Sequence, residues 1–299
     1  PLGEDLIIVD EASMLDISLF YHLLCALKDG ARLILVGDID QLPPVGAGEP
    51  LKDLMSWGYV PIVRLKRIFR QEEGSGIVEN AALIRKGEMC VPDEAGEFRI
   101  IYAADDEDAY RIVMDLCREL NYGNEENKML LQVLSPMYRG VCGVDHLNES
   151  LQEMIHGEKV PDGMKFFPGD KVMQTRNDYE KGIYNGDVGT VWTATPQKVF
   201  VRYFDKEVVY EGEERFDLRL AYAVTVHKSQ GSEYETVIFI LRPSQHNMLQ
   251  RNLLYTGVTR ARKNTILVTA PDALRRALAI QHTGNRYSLF LPFLNHEAL

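Results

Sequence analysis

Two adjacent carboxylates close an apolar run, Asp10-Glu11 after Leu6-Ile7-Ile8-Val9. A nucleotide hydrolase needs that pairing, one carboxylate to hold Mg²⁺ through water and a second to polarise the attacking water. Taken alone, four residues of this kind also read as an acidic strand-end turn, so the surroundings decide. A second apolar run, residues 32–36, ends in Gly37-Asp38-Ile39-Asp40-Gln41-Leu42-Pro43-Pro44. Gly37 lets the backbone turn sharply, and Gln41 offers an amide that can sense a γ-phosphate and orient a water. The plainer reading is a proline-stiffened loop with solvated carboxylates. Two acidic strand ends side by side favour the nucleotide site.

Three further segments carry phosphate-directed groups. Leu65-Lys66-Arg67-Ile68-Phe69-Arg70-Gln71 places Arg70 where a guanidinium can reach a phosphate bidentately, although a helix-surface cation is the commoner fate of Arg. In the segment 221–233, the hydroxyl of Thr225, the imidazole of His227 and the amide of Gln230 can grip a phosphodiester backbone without reading bases. A lone histidine is more often structural. Residues 252–262 read as a helix bearing Arg260 and Arg262, one of which can serve as an arginine finger.

The elements that must hold these groups follow from apolar spacing. Residues 14–27 carry Leu15, Leu19, Leu23, Leu24 and Leu27 at helical intervals between two β-branched runs, so the opening is β-α-β, with strands expected to be buried on both faces. In open parallel sheets the functional groups sit at the strands' carboxyl ends, where both acidic pairs lie. Helices are expected at 75–85, 106–120 and 144–155, and buried strands at 129–134, 237–240 and 265–268. Between them, 166–210 turns to short strands near Val172, 188–191 and 199–203, punctuated by Gly and Asp turns, which makes a small all-β insert.

At 299 residues the chain can bury two ordinary cores. Its net charge of −11 lowers the expectation of tight polynucleotide binding, yet a basic groove on an acidic body satisfies both. Cys25, Cys90, Cys117 and Cys142 are irregularly spaced and suggest reduced thiols in a cytoplasmic protein. No apolar run approaches the roughly 20 residues that cross a bilayer, and no membrane partner is expected.

In order and spacing these segments resemble motifs II to VI of superfamily 1 DNA helicases, and their wording is closest to the RecD/TraA branch. Val133-Leu134-Ser135-Pro136-Met137-Tyr138-Arg139-Gly140 and Gly169-Asp170-Lys171-Val172-Met173-Gln174 resemble further signatures of that branch. The resemblance implies an α/β fold of RecA-like parallel sheets, the first of them incomplete, with a small SH3-like β-barrel insert. The implied domains are 1–64, then 65–167 with 220–299, with 168–219 as the insert. It implies ATP and Mg²⁺, with Asp10 as metal ligand, Glu11 as catalytic base and Gln41 as γ-phosphate sensor. Arg70 and Arg260 would meet the γ-phosphate from the second domain, and Gly37, Asp38, Gly231 and Glu233 would flank the nucleotide. Ser135, Arg139, Asn177, Thr225 and His227 would lie along single-stranded DNA, with Tyr138, Tyr179 and Tyr184 as stacking platforms or buried aromatics.

The implied activity is a 5′-to-3′ DNA helicase. Its alternatives are a motor subunit of an exonuclease V-like assembly with nuclease or helicase partners, or a DNA-binding module that no longer hydrolyses ATP. The family carries a Gly-x-x-Gly-x-Gly-Lys-Thr type loop upstream of the acidic pair, and the sequence as it stands has none. This chain by itself is therefore expected neither to bind ATP tightly nor to unwind DNA.

Overall fold

Where an apolar run is unbroken, both faces of a strand can be buried, and residues 237–241 show it one by one. The computed structural model describes residues 2–65, 75–281 and 290–295. The chain opens with β1 (Leu6–Val9), α1 (Ile17–Ala26), β2 (Arg32–Leu35) and α2 (Pro50–Trp57). It continues through α3 (Gly76–Lys86), β3 (Phe98–Tyr102), α4 (Asp106–Glu119), α5 (Glu125–Leu130), β4 (Leu131–Ser135) and α6 (Val144–His156). Five short strands follow, β5 (Lys171–Gln174), β6 (Val188–Ala194), β7 (Lys198–Arg202), β8 (Glu207–Glu211) and β9 (Leu218–Leu220). The remainder is β10 (Ala223–Thr225), β11 (Tyr234–Leu241), α7 (Arg251–Val258), β12 (Ala261–Thr269), α8 (Pro271–Ala279) and α9 (Phe290–Leu294).

β1 and β2 pair in parallel, Val9 opposite Leu35, as the β-α-β reading requires. The Asp16 carboxylate accepts from the Leu19 amide at 2.7 Å and starts α1 at Ile17, later than the apolar spacing suggested, after a 3₁₀ turn over Ala12–Met14. The expectation that these strands are buried on both faces fails. Leu6, Ile8 and Ile34 are 48%, 60% and 46% exposed. Among the described residues the sheet has two strands, and α1 contributes only Phe20 to the buried set, so too little surrounds it.

The second parallel sheet has the order β10-β4-β11-β12-β3. Val237, Phe239 and Leu241 of β11 face one core with Ile84, Leu254 and Leu274, from α3, α7 and α8. Ile238 and Ile240 face another with Val113 and Leu151, from α4 and α6. That two-faced burial is the packing a helix-covered parallel sheet adopts. β4 begins at Leu131 rather than at 129, because Asn124 caps α5 by accepting from Glu126 N at 2.8 Å and the acidic first turn favours helix up to Leu130.

The short strands form an antiparallel sheet ordered β8-β7-β6-β5-β9 over a core of Val172, Val191, Val201 and Tyr210. Its edge strands β8 and β9 show no pairing with each other among the described residues. A buried polar junction mounts this sheet on the second parallel one. Asp170, fully buried, accepts from Gln152 Nε2 at 2.5 Å, Phe167 N at 2.7 Å and Tyr222 OH at 2.9 Å. Its neighbour Lys171 donates to Gln132 Oε1 at 2.9 Å and Leu131 O at 3.1 Å. Burial, reinforced by the nearby Lys128 cation, pulls the Lys171 ammonium down to about 7.

Candidate functional site

The two acidic strand ends lie together. Ala12 N donates to Val36 O at 2.7 Å, tying the turn after β1 to the end of β2. Glu11 sits in the left-handed region at φ 51°, a conformation rare for a residue with a side chain. A Cβ on Gly37 would lie 2.8 Å from Ser13 N and 2.9 Å from Leu51 Cδ2, so glycine is what allows the two turns to approach. Asp10 is exposed and its Oδ1 accepts from Glu11 N at 2.8 Å, while Glu11 is half-buried.

From Gly37 the loop crosses to the second sheet's helices. Tyr255 OH on α7 donates to Asp38 Oδ2 at 2.9 Å, and Arg85 Nε on α3 meets Asp40 Oδ2 at 2.7 Å. Leu42 N donates to Thr256 Oγ1 at 2.8 Å, and Gln230 Nε2 donates to Leu42 O at 3.2 Å. Leu42 itself is buried in the second sheet's core. Burial and the adjacent Asp38 carboxylate both push the Tyr255 hydroxyl well above its ordinary range, so it remains a donor. Gln41 Oε1 and Ser13 Oγ are buried without a hydrogen-bond partner among the described residues, and both line one small recess with Glu49 and Lys52. A buried carbonyl oxygen at this position can accept a hydrogen bond from a donor in the recess.

Arg260 follows α7 and is 3% exposed. Its Nε donates to Thr256 O at 3.2 Å and its Nη1 to Ser232 O at 3.3 Å. Thr256 therefore holds the loop at Leu42 with its hydroxyl and Arg260 with its carbonyl. Arg262 is on β12, not in the helix expected there, and donates to Glu233 Oε2 at 2.7 Å. Gly231 turns at φ 75° just before Glu233. Arg70 lies outside the described residues.

The strand candidates divide by burial. Ser135 and Thr225 pair across β4 and β10 and are buried. The Ser135 hydroxyl donates to Cys142 O at 2.6 Å, closing the loop that carries Tyr138 and Arg139, and Thr225 Oγ1 accepts from Lys228 N at 3.2 Å. Burial lowers the pKa of His227, which favours a neutral imidazole. Asn177 is exposed and bonds Tyr179 OH at 3.2 Å. Arg139 opens into a groove of about 1020 Å³ between the second sheet's loops and the antiparallel sheet. Arg176, Arg219, Phe216 and Lys228 also line it. Sequence reasoning missed Arg176, although it adjoins Asn177 and the signature at 169–174, and it missed Phe216 and Arg219, which lie on the insert away from any signature. It passed over Tyr255 and Thr256 too, although both adjoin Arg260. Tyr138, Tyr179 and Tyr184 are 41%, 77% and 49% exposed, so burial does not explain them.

Three family descriptions match in succession. Residues 2–100 match an AAA domain, 147–203 the ATP-dependent RecD-like DNA helicase SH3 domain, and 220–268 the UvrD-like helicase C-terminal domain. The ATP-dependent RecD2 DNA helicase of Deinococcus radiodurans is 38% identical over 293 residues, covering 97% of this chain and 40% of that protein. The chain is of the RecD-like helicase type. RecBCD enzyme subunit RecD of Mycolicibacterium smegmatis is 33% identical over 307 residues, covering 96% of this RecD-like chain and 54% of the relative. The chain thus spans about half the length, or less, of these curated relatives. In fold, it resembles a Bacteroides Pif1 helicase solved in complex with ADP-AlF3 and ssDNA, with a TM-score of 0.58 at 20% identity over 98% of this chain and 75% of that one. Pif1 helicase from Candida albicans gives 0.53 at 19% identity, over 93% and 74%. The RecD-like chain is accordingly an α/β protein of RecA-like parallel sheets. Among the described residues, no helix is long and apolar enough to cross a membrane.

Proposed function

We propose that this chain carries the hydrolytic carboxylates, sensor loop and strand groove of an ATP-dependent DNA helicase motor that moves 5′-to-3′ on single-stranded DNA. The observation that carries this reading is the bridging of the acidic strand ends to α7 through Asp38 and Leu42, which sets Asp10, Glu11 and Gln41 on the same loop system as Arg260. Three nucleotide-directed groups on one sheet and a guanidinium on the other are the parts that this chemistry brings together on a γ-phosphate. The proposed domains are 1–64 as the C-terminal part of the first motor domain, 65–167 with 220–299 as the second, and 168–219 as the SH3-like insert.

In this reading Glu11 accepts a proton from the attacking water, and its half-buried, conformationally held carboxylate limits the geometries that water can adopt. Gln41 orients the same water or contacts the γ-phosphate with its amide. Arg260, and Arg70 from the segment 66–74, stabilise the charge that develops on the transferred phosphoryl group. Gly37, Asp38, Gly231 and Glu233 border the nucleotide. Asp10 fits a Mg²⁺ site, because such sites take one or two carboxylates and complete the octahedron with phosphate oxygens and water. Bound with the nucleotide, Mg²⁺ supplies charge neutralisation at the β- and γ-phosphates.

Arg139, Asn177 and His227 meet the strand directly, while Ser135 and Thr225 set the loops beneath it. Contacts of this kind address the backbone and not base edges, so binding is sequence-neutral. In the full-length protein, Glu11→Ala should abolish ATP hydrolysis and leave DNA binding intact; unchanged turnover would sink the mechanism. The RecD subunit relative favours a second reading, a cytoplasmic motor subunit of an exonuclease V-like complex. Co-purification of the full-length protein with a nuclease chain separates it from a stand-alone helicase.

A further inference from the structure

The groove beside Arg139 carries both signs of charge. Arg139, Arg176, Arg219 and Lys228 bring four cations to it, and Asp145, Glu213, Glu214 and Asp217 bring four carboxylates. A surface evolved only to hold a polyanion has no use for the second set, since each carboxylate repels phosphate. The carboxylates are nevertheless placed with care. Three of them lie in the 3₁₀ turn Gly212–Asp217, whose start is capped reciprocally by Glu211 and Glu214. Thr175 fixes its end, donating to Asp217 O from both N and Oγ1 at 2.8 Å. Glu214 is drawn aside by Lys181 at 2.6 Å, but Asp217 Oδ1 faces Arg176 Nε at 3.5 Å. Across the groove, Asp145 Oδ1 faces Arg219 Nη1 at 3.8 Å. Both pairs are loose, and the arginine side chains are 80% and 59% exposed, so the pairing is weak and a bidentate phosphate contact can displace it.

We propose that Asp217 and Asp145 are built-in counterions, standing in for phosphodiester groups on Arg176 and Arg219 until a nucleic-acid strand displaces them. This rests on the strand-binding reading above and adds its regulation. An entering strand exchanges phosphate for carboxylate at each arginine, and a leaving strand gives the arginine back to its carboxylate. The groove then holds a strand without trapping it, as a motor that releases its track at every step requires.

The test uses the full-length protein and a fluorescent oligothymidylate, with binding followed by anisotropy across a salt series. Asp145→Asn with Asp217→Asn is compared with Glu207→Gln with Asp115→Asn, which removes the same charge from exposed pairs with Arg202 and Arg118 away from the groove. The groove variant should bind about tenfold tighter near ~0.1 M salt, with a salt slope steeper by about one for each carboxylate removed. The remote variant should stay within about twofold of the parent, as screening at that ionic strength requires. Tightening that is absent, or equal in both variants, overturns the counterion role while strand binding stands. Binding by the groove variant where the parent has none supports it most directly. If no form binds the oligonucleotide, the strand-binding reading fails and the counterion role falls with it.

Discussion

The Tyr255 hydroxyl donates to Asp38 Oδ2 at 2.9 Å, joining the loop that carries Gln41 to the helix that ends beside Arg260. Neither group is placed on the reacting atoms, so their bond transmits position between the sheets. A hydrogen bond to a charged acceptor contributes about 1.5–3 kcal/mol, enough to shift a rate by roughly tenfold or more. In the full-length protein, Tyr255→Phe should lower kcat for DNA-stimulated ATP hydrolysis by about tenfold, with KM for ATP changed by less than about twofold. A loss confined to KM would show that Tyr255 acts on nucleotide binding instead.

Gly37 has no room for a methyl group. An added Cβ would press on the Ser13 amide at 2.8 Å as well as on Leu51, and backbone cannot swing aside as a long side chain can. Gly37→Ala should destabilise the chain by about 1–3 kcal/mol, the usual cost of overpacking. The urea midpoint should fall with an unchanged slope. An unaltered midpoint would mean that the two turns are not held at this separation.

Glu11 separates stability from function. At φ 51° its side chain crowds the backbone, which costs about 1–2 kcal/mol for a residue other than glycine. Glu11→Gly should therefore be more stable than Glu11→Ala by about 1 kcal/mol, although both lose hydrolysis. Equal melting temperatures for the two variants would remove the case for strain at Glu11.

What the sequence reveals here depends on how local the cause is. The run from Val237 to Ile240 is legible because an unbroken apolar stretch has one economical fate, burial on both faces. The same logic misreads Leu6 to Val9, whose exposure depends on how many strands stand beside it. β3 escapes notice because Arg99 and the exposed Tyr102 interrupt its apolar pattern. Asp10, Glu11 and Gln41 are candidates by residue type and by their place in the turns that follow β1 and β2. Tyr255 does not, because its partner is 217 residues away and nothing near either one signals the other. Ser135 reads as a surface hydroxyl until Cys142 and Gln245 are seen to enclose it.

Asp170-Lys171 stands out in the sequence only as part of the signature at 169–174, with nothing local to signal burial, yet both side chains are buried where the antiparallel sheet joins the second parallel sheet. Burial, with the Lys128 cation as a second cause, holds the folded-state Lys171 near 7 against an ordinary 10.5. Between those values the unfolded chain binds the proton and the folded chain does not, so this group makes stability rise with pH. Below about 7 both states are protonated and the full cost of burying the cation is present. From pH 7 to 9 the contribution should grow by about 2 kcal/mol. The Cys90, Cys117 and Cys142 thiols, raised to about 12 mainly by burial, act oppositely above their ordinary 9, so a bare pH profile mixes the two effects. Subtracting the profile of Lys171→Met isolates the lysine. The difference in unfolding free energy, parent minus variant, should climb by about 2 kcal/mol over that window. A flat difference would mean that Lys171 keeps its proton at the junction, held there by Gln132 Oε1 and the Leu131 carbonyl.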